Sequence, residues 1–151
     1  QGLLMAQSPQ PAPNPAPGFA QDPEARRESE LKAMDAVVKV ERALGNDPVD
    51  VSAQKVGYDI ASYDPNTQHL RFIEVKGRIT GADTVILTRQ EIITSLHEPE
   101  KYILAIVQID GGYAQAPQYV HGALQEHEPS FESTAIQFNL KRLLDRAEVP
   151  S

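Results

Sequence analysis

The chain has no cysteine, which excludes a disulfide framework and any metal site built on thiolates. That fits a reducing compartment, and a cytoplasmic location is expected. Long apolar runs are missing too: none approaches the ~20 residues that a membrane span needs, so no membrane partner is expected. Positive charge is in deficit. Lys and Arg number 14 against 21 Asp and Glu, for a net charge of −7. A free-standing nucleic-acid-binding domain is normally basic, because phosphate neutralisation supplies most of its non-specific affinity. The charge therefore argues against autonomous DNA binding. The four histidines, His69, His97, His121 and His127, show no metal-ligand spacing. Neither a phosphate-cradling glycine loop nor a nucleophile elbow is present. Gln1 to Met5 offers no basic region and no long apolar stretch, so no signal peptide is read there. The chain reads instead as a piece of a longer protein.

What is present is enough for one core: 40% of the residues are hydrophobic. Residues 1–21 carry Pro9, Pro11, Pro13, Pro15 and Pro17 between small or polar residues, the pattern of an extended, disordered linker. Residues 22–151 are expected to form the domain. Asp22-Pro23 opens a helix as N-cap and first-turn proline. Leu31, Met34, Val37, Val38 and Leu44 suggest its apolar stripe, and Gly45 ends it. Two runs then read as a hairpin. Gly57 to Tyr63 is rich in aromatic and β-branched residues. His69 to Lys76 alternates, and Asp64-Pro65-Asn66-Thr67 between them is turn chemistry. Thr84 to Leu87 reads as a short strand. Thr88 and Glu91 form a capping box for a helix running to about His97. Lys101 to Asp110 is a near-continuous apolar strand, as in a sheet buried on both faces. Gln118 to His121 and Thr134 to Phe138 read as short strands, with Asn139 capping a last helix over Leu140 to Ala147. The order predicts an α/β sandwich around a mixed sheet.

The chemistry is concentrated in the hairpin. Asp59 lies in Tyr58-Asp59-Ile60, and the second strand carries Phe72-Ile73-Glu74-Val75-Lys76. Cross-strand neighbours sit about 5 Å apart, so Asp59 can face Glu74, with Lys76 two residues along the same face. Two adjacent carboxylates repel unless a cation lies between them. For an all-oxygen site the natural cations are Mg²⁺ and Mn²⁺. Asp59, Glu74 and the carbonyl of Val75 are the expected ligands. Lys76 would orient or deprotonate the attacking water, or stabilise charge on a phosphate. The bland alternative is a solvated Glu-x-Lys pair on an exposed strand.

The phrases Gly57-Tyr58-Asp59-Ile60-Ala61-Ser62, Phe72-Ile73-Glu74-Val75-Lys76-Gly77-Arg78, Leu87-Thr88-Arg89-Gln90-Glu91-Ile92 and Tyr102-Ile103-Leu104-Ala105-Ile106-Val107 carry a resemblance. An aspartate followed by Glu-x-Lys, behind a helix bearing glutamate, resembles the PD-(D/E)XK nuclease superfamily. The four phrases together more closely resemble the NO VEIN C-terminal family, found also at the C-terminus of large bacterial helicase-like proteins. The resemblance covers most of residues 30–110. It implies a restriction-endonuclease-like three-layer sandwich, a metal-dependent DNA endonuclease activity, and a parent protein of helicase-like or DNA-defence type. One departure is that no proline precedes Asp59. The resemblance also implies that a glutamate of the first helix joins the catalytic Asp59, Glu74 and Lys76. Glu30 matches that position better, and Glu41 is the alternative. Gln90 has a counterpart in exonuclease relatives. Glu91 is a further accessory candidate, although its capping box already explains it.

Arg71, Arg78 and Arg89, with Lys76, surround the motif and are the expected nucleic-acid contacts. The acidity lies elsewhere, in residues 22–50 and 124–132. DNA is thus the expected partner, held largely by other domains of the parent protein. Two classes remain: a metal-dependent nuclease domain, and a module that keeps the fold without catalysis and binds nucleic acid or a neighbouring domain.

Overall fold

A computed structural model describes residues 22–124 and 134–151. The proline-rich segment, most of the acidic 124–132 stretch and His127 lie outside the described residues. The elements in chain order are α1 (Pro23–Ala43), β1 (Asp47–Asp50), a 3₁₀ turn (Ser52–Gln54), β2 (Ile60–Asp64), β3 (His69–Ile79), β4 (Thr84–Thr88), α2 (Arg89–His97), β5 (Tyr102–Asp110), β6 (Tyr113–Ala114), β7 (Gln118–His121), β8 (Ala135–Asn139) and α3 (Leu140–Asp145). The chain is α/β, built on a mixed six-stranded sheet. Strands β1, β2 and β3 are consecutive antiparallel neighbours, and β3 runs parallel to β5. β6 and β7 both pair antiparallel with β5. β4 and β8 form a separate antiparallel ribbon.

The two sheet faces are covered differently. α1 covers one, packing Ala33 and Val37 against Ile60, Ile73, Val75, Ile103, Ala105 and Val107. The other face carries Phe72, Tyr102, Leu104 and Ile106 under α2, α3 and the β4–β8 ribbon, through Leu87, Ile92, Leu140 and Leu143. Period-two alternation in β3 and β5 feeds both cores at once, which is why β5 is buried almost from end to end.

Several local expectations are met. Asp22 accepts from the Ala25 N–H at 2.7 Å. The Thr88/Glu91 capping box is formed in both directions, and Asn139 caps α3 by accepting from the Arg142 N–H. The stripe of α1 is met in part: Val37 is buried and Met34 and Val38 pack against the core. Leu31 and Leu44 are 58% and 38% exposed, and the buried positions are Ala33, Val37 and Glu41. The reason is at Gly77, where a Cβ would come within 3.0 Å of the Ala33 Cβ and 3.3 Å of the Ser29 carbonyl. α1 sits too close to β3 there for a large side chain. β1 lies outside the elements expected from the sequence; aspartate and proline are depleted in strands. It becomes a strand only by pairing with β2 at the sheet edge, where proline is tolerated. Among the described residues, no helix is long and apolar enough to cross a membrane.

Candidate functional site

β2 begins one residue after Asp59, and its register with β3 pairs Ile60 with Ile73. Continuing that register puts Asp59 opposite Glu74. The Asp59 N–H donates to the Ile73 carbonyl at 2.9 Å, the last backbone bond on this side. The next donor along β3, the Val75 N–H, is taken by Asp59 Oδ2 at 2.9 Å. The aspartate side chain thus replaces the missing strand. The Phe72 N–H points to β5, donating to the Lys101 carbonyl, so by alternation the Val75 N–H and carbonyl both face the Asp59 side.

The approach to Asp59 is fixed by its neighbours. Gly57 has φ +96, and a Cβ there would collide with Thr94 Oγ1 on α2; only glycine allows the segment to lie against the helix. The Gln90 side chain donates to the Lys55 carbonyl at 3.0 Å. The Tyr102 hydroxyl donates to the Gly57 carbonyl at 3.2 Å. Tyr58 stacks on Phe72, with centroids 4.3 Å apart.

Glu74 and Lys76 project from β3 on the α2 side of the sheet. Glu74 is 3% exposed. Lys76 Nζ is 3.2 Å from Glu74 Oε2 and 3.1 Å from Glu91 Oε1. The Glu74 carboxyl is also in hydrogen-bonding contact with Asp59 and Glu91. Three carboxyl groups therefore cluster in a largely dry place beside one ammonium, which is in contact with Glu74 and Glu91. Burial, more than any neighbour, pushes the Glu74 carboxyl up to about 10; Glu91 and Asp59 add to the shift and Lys76 opposes it. Burial also raises Asp59, against the Val75 N–H bond. Burial would lower Lys76, but Glu74 and Glu91 outweigh it and hold the ammonium charged.

Other expected site residues are placed elsewhere. Glu30 is exposed on α1, the helix covering the opposite face. Glu41 is fully buried on that face. It accepts from Arg71 at 3.0 Å, from the Tyr119 hydroxyl at 2.8 Å and from Asn46 at 3.0 Å. Arg71 is thereby held away from the motif, its second nitrogen donating to the Ser151 carbonyl. The structure brings neither helix glutamate to Asp59 and Glu74. Arg78 lies on the same face as Glu74 and Lys76, donating to the Thr84 carbonyl at 2.9 Å. Arg89 opens α2. Sequence reasoning missed Tyr102. Its signal was a tyrosine heading an otherwise aliphatic strand, where a buried hydroxyl needs a partner.

The donor set is wholly oxygen and carries excess negative charge, which suits a hard divalent cation. Asp59 keeps Oδ1 clear of the Val75 bond, Glu74 supplies a second carboxylate, and the Val75 carbonyl faces the same side. Among the described residues, no group of three or more His, Cys, Asp or Glu is disposed to hold a metal. A cation here would rest on two carboxylates, one carbonyl and water, a ligand count Mg²⁺ accepts.

The chain matches the family described as Protein NO VEIN, C-terminal, over residues 29–120. No curated protein and no solved structure matches it. The matched span runs from mid-α1 through β7, so it includes both strands of the hairpin, α2 and the whole carboxylate cluster, and the chain belongs to the NO VEIN C-terminal family.

Proposed function

We propose that this is a metal-dependent DNA endonuclease domain of the PD-(D/E)XK kind, hydrolysing phosphodiester bonds within a longer cytoplasmic protein of helicase-like or DNA-defence type. The observation that carries the reading is the crowding of Asp59, Glu74 and Glu91 around Lys76 in a buried place. Burying unbalanced carboxylates costs stability, and a purely structural site has no need of it. Asp59, Glu74 and the Val75 carbonyl would hold Mg²⁺ or Mn²⁺. Such a cation would supply Lewis-acid stabilisation of charge on the phosphate. Lys76, kept as an ammonium, neutralises charge that develops on a phosphate oxygen and is not a base in that state. Arg78 and Arg89 are the nearest candidates for contact with the nucleic-acid backbone. The net charge of −7 leaves most of the DNA affinity to other domains.

A second reading, a nuclease-fold module without catalysis, has specific support. Asp59 is already engaged with the Val75 N–H, and Lys76 is engaged by two carboxylates. Supercoiled plasmid incubated with manganese separates the two. The wild type is expected to nick it and Glu74→Gln, purified in parallel, is not. Identical plasmid profiles would leave only the binding module. Calorimetry tests the ligands: manganese binding is expected for the wild type and not for Asp59→Ala, and equal binding would remove Asp59 from the cation site.

A further inference from the structure

We infer that Glu91 is the positioning residue for Lys76: its carboxylate, anchored on the Thr88 backbone N–H at the start of α2, holds the lysine in the site. This deepens the nuclease reading and rests on it for its functional meaning. A lysine on a strand carries its charge on four flexible methylenes, and fixing it takes at least one rigid anion. Two are in reach. Glu74, at 3.2 Å, is assigned to a cation and cannot serve the lysine alone. Glu91, at 3.1 Å, has no such duty.

Glu91 is also anchored by its own helix start. It sits in the first turn of α2, where its Oε1 accepts from the Thr88 N–H at 2.9 Å. Its own N–H donates to Thr88 Oγ1 at 3.2 Å. The oxygen that receives the backbone N–H is the one that meets Lys76. The Thr88 backbone N–H, which Thr88→Ala would keep, therefore fixes the carboxylate in space, and the carboxylate fixes the ammonium. The same helix holds the Asp59 approach through the Gln90 bond to the Lys55 carbonyl, with Gly57 lying close against Thr94. α2 thus braces both halves of the site from outside the Asp/Glu-x-Lys motif.

Capping and charge can be separated by mutation. A capping box accepts glutamine in place of glutamate, so Glu91→Gln keeps the Thr88 bond and loses the ion pair. Thr88→Ala removes the hydroxyl and keeps the Glu91 charge. The first readout needs no catalysis: the ¹H–¹⁵N signal of the Lys76 ammonium in the ¹⁵N-labelled protein, visible when ion pairs slow its exchange. It is expected in the wild type and in Thr88→Ala, and lost in Glu91→Gln, whose melting temperature stays near that of the wild type. An unchanged Lys76 signal in Glu91→Gln would overturn the proposal. So would a loss as complete in Thr88→Ala, because the cap alone would then explain it. The second readout is plasmid nicking with manganese. Glu91→Gln is expected to slow it roughly 10–100-fold, the scale for groups that orient a metal site's residues, with manganese affinity unchanged. A loss of manganese affinity in Glu91→Gln would make Glu91 a ligand instead and overturn the assignment. A wild type that never nicks would sink the nuclease reading and leave the ammonium signal to decide the role of Glu91.

Discussion

Among the described residues, two glutamates are almost wholly buried, one on each face of the sheet, in opposite electrostatic circumstances. Glu41, under α1, meets one guanidinium, one hydroxyl and one amide, so both of its oxygens are satisfied. Glu74, under α2, meets one ammonium and two further carboxyls. The first arrangement is what burial of a charge requires. The second is frustrated, and its carboxyl is pushed up to about 10, burial being the main cause. Perturbed titration at a cluster of charges is a mark of functional sites rather than of scaffolding. The two faces thus differ: the buried glutamate on the α1 side is fully partnered, and the one on the α2 side is crowded by other carboxyls.

The largest expected effect is on catalysis. Lys76→Ala is expected to lower the nicking rate by roughly 10²–10³, the usual scale for removing one group that stabilises charge in the transition state, with the circular dichroism spectrum unchanged. Wild-type nicking by this variant would make the α2-side cluster as structural as its counterpart.

Stability should split the two glutamates in the reverse direction. Glu41→Ala leaves Arg71 without its buried partner and is expected to cost about 3–5 kcal/mol, read from urea unfolding. Glu74→Gln replaces a carboxyl that burial keeps protonated with a neutral group of the same shape, and is expected to cost nothing or to stabilise. Equal losses in the two variants would erase the distinction between satisfied and frustrated burial.

A smaller effect should appear with pH. The Glu74 carboxyl titrates near its ordinary 4.5 when unfolded and near 10 when folded. Below pH 4.5 it is protonated in both states. Above that the unfolded chain sheds the proton and the folded one keeps it, so this group's contribution to stability falls as pH rises from about 4.5 to 10. Urea midpoints of the wild type should decline over that interval. In Glu74→Gln, and in the wild type with manganese, the decline should be shallower. Parallel slopes in the wild type and Glu74→Gln would remove Glu74 as the cause.

Much of this molecule could be read from its residues, because the signals are local. Asp22-Pro23, the Thr88/Glu91 box and Asn139 announce helix starts by chemistry confined to one turn. The alternation of Phe72, Glu74 and Lys76 against Arg71, Ile73 and Val75 already assigns faces to β3, and the apolar run of β5 announces burial on both sides. The order of these elements determined an α/β chain around a mixed sheet.

What only the tertiary structure decided are the pairings between residues distant in sequence. Glu30 and Glu41 share a helix, Glu30 with the better claim to the site by resemblance, and neither is brought to it, because α1 packs on the opposite face at the closeness Gly77 permits. Arg71 lies within the motif's own strand, yet period-two alternation turns it through the sheet to Glu41. β1 holds aspartate and proline, which are depleted in strands, and is a strand only because β2 supplies its hydrogen bonds. Glu91 has a complete local explanation as a cap, and nothing local says that the same oxygen meets Lys76 across the packed face of the sheet. A residue's own sequence neighbourhood determines its cap, its turn or its strand face. Whether a buried charge is satisfied or frustrated depends on which distant charges the packing brings against it, and that is a property of the folded chain alone.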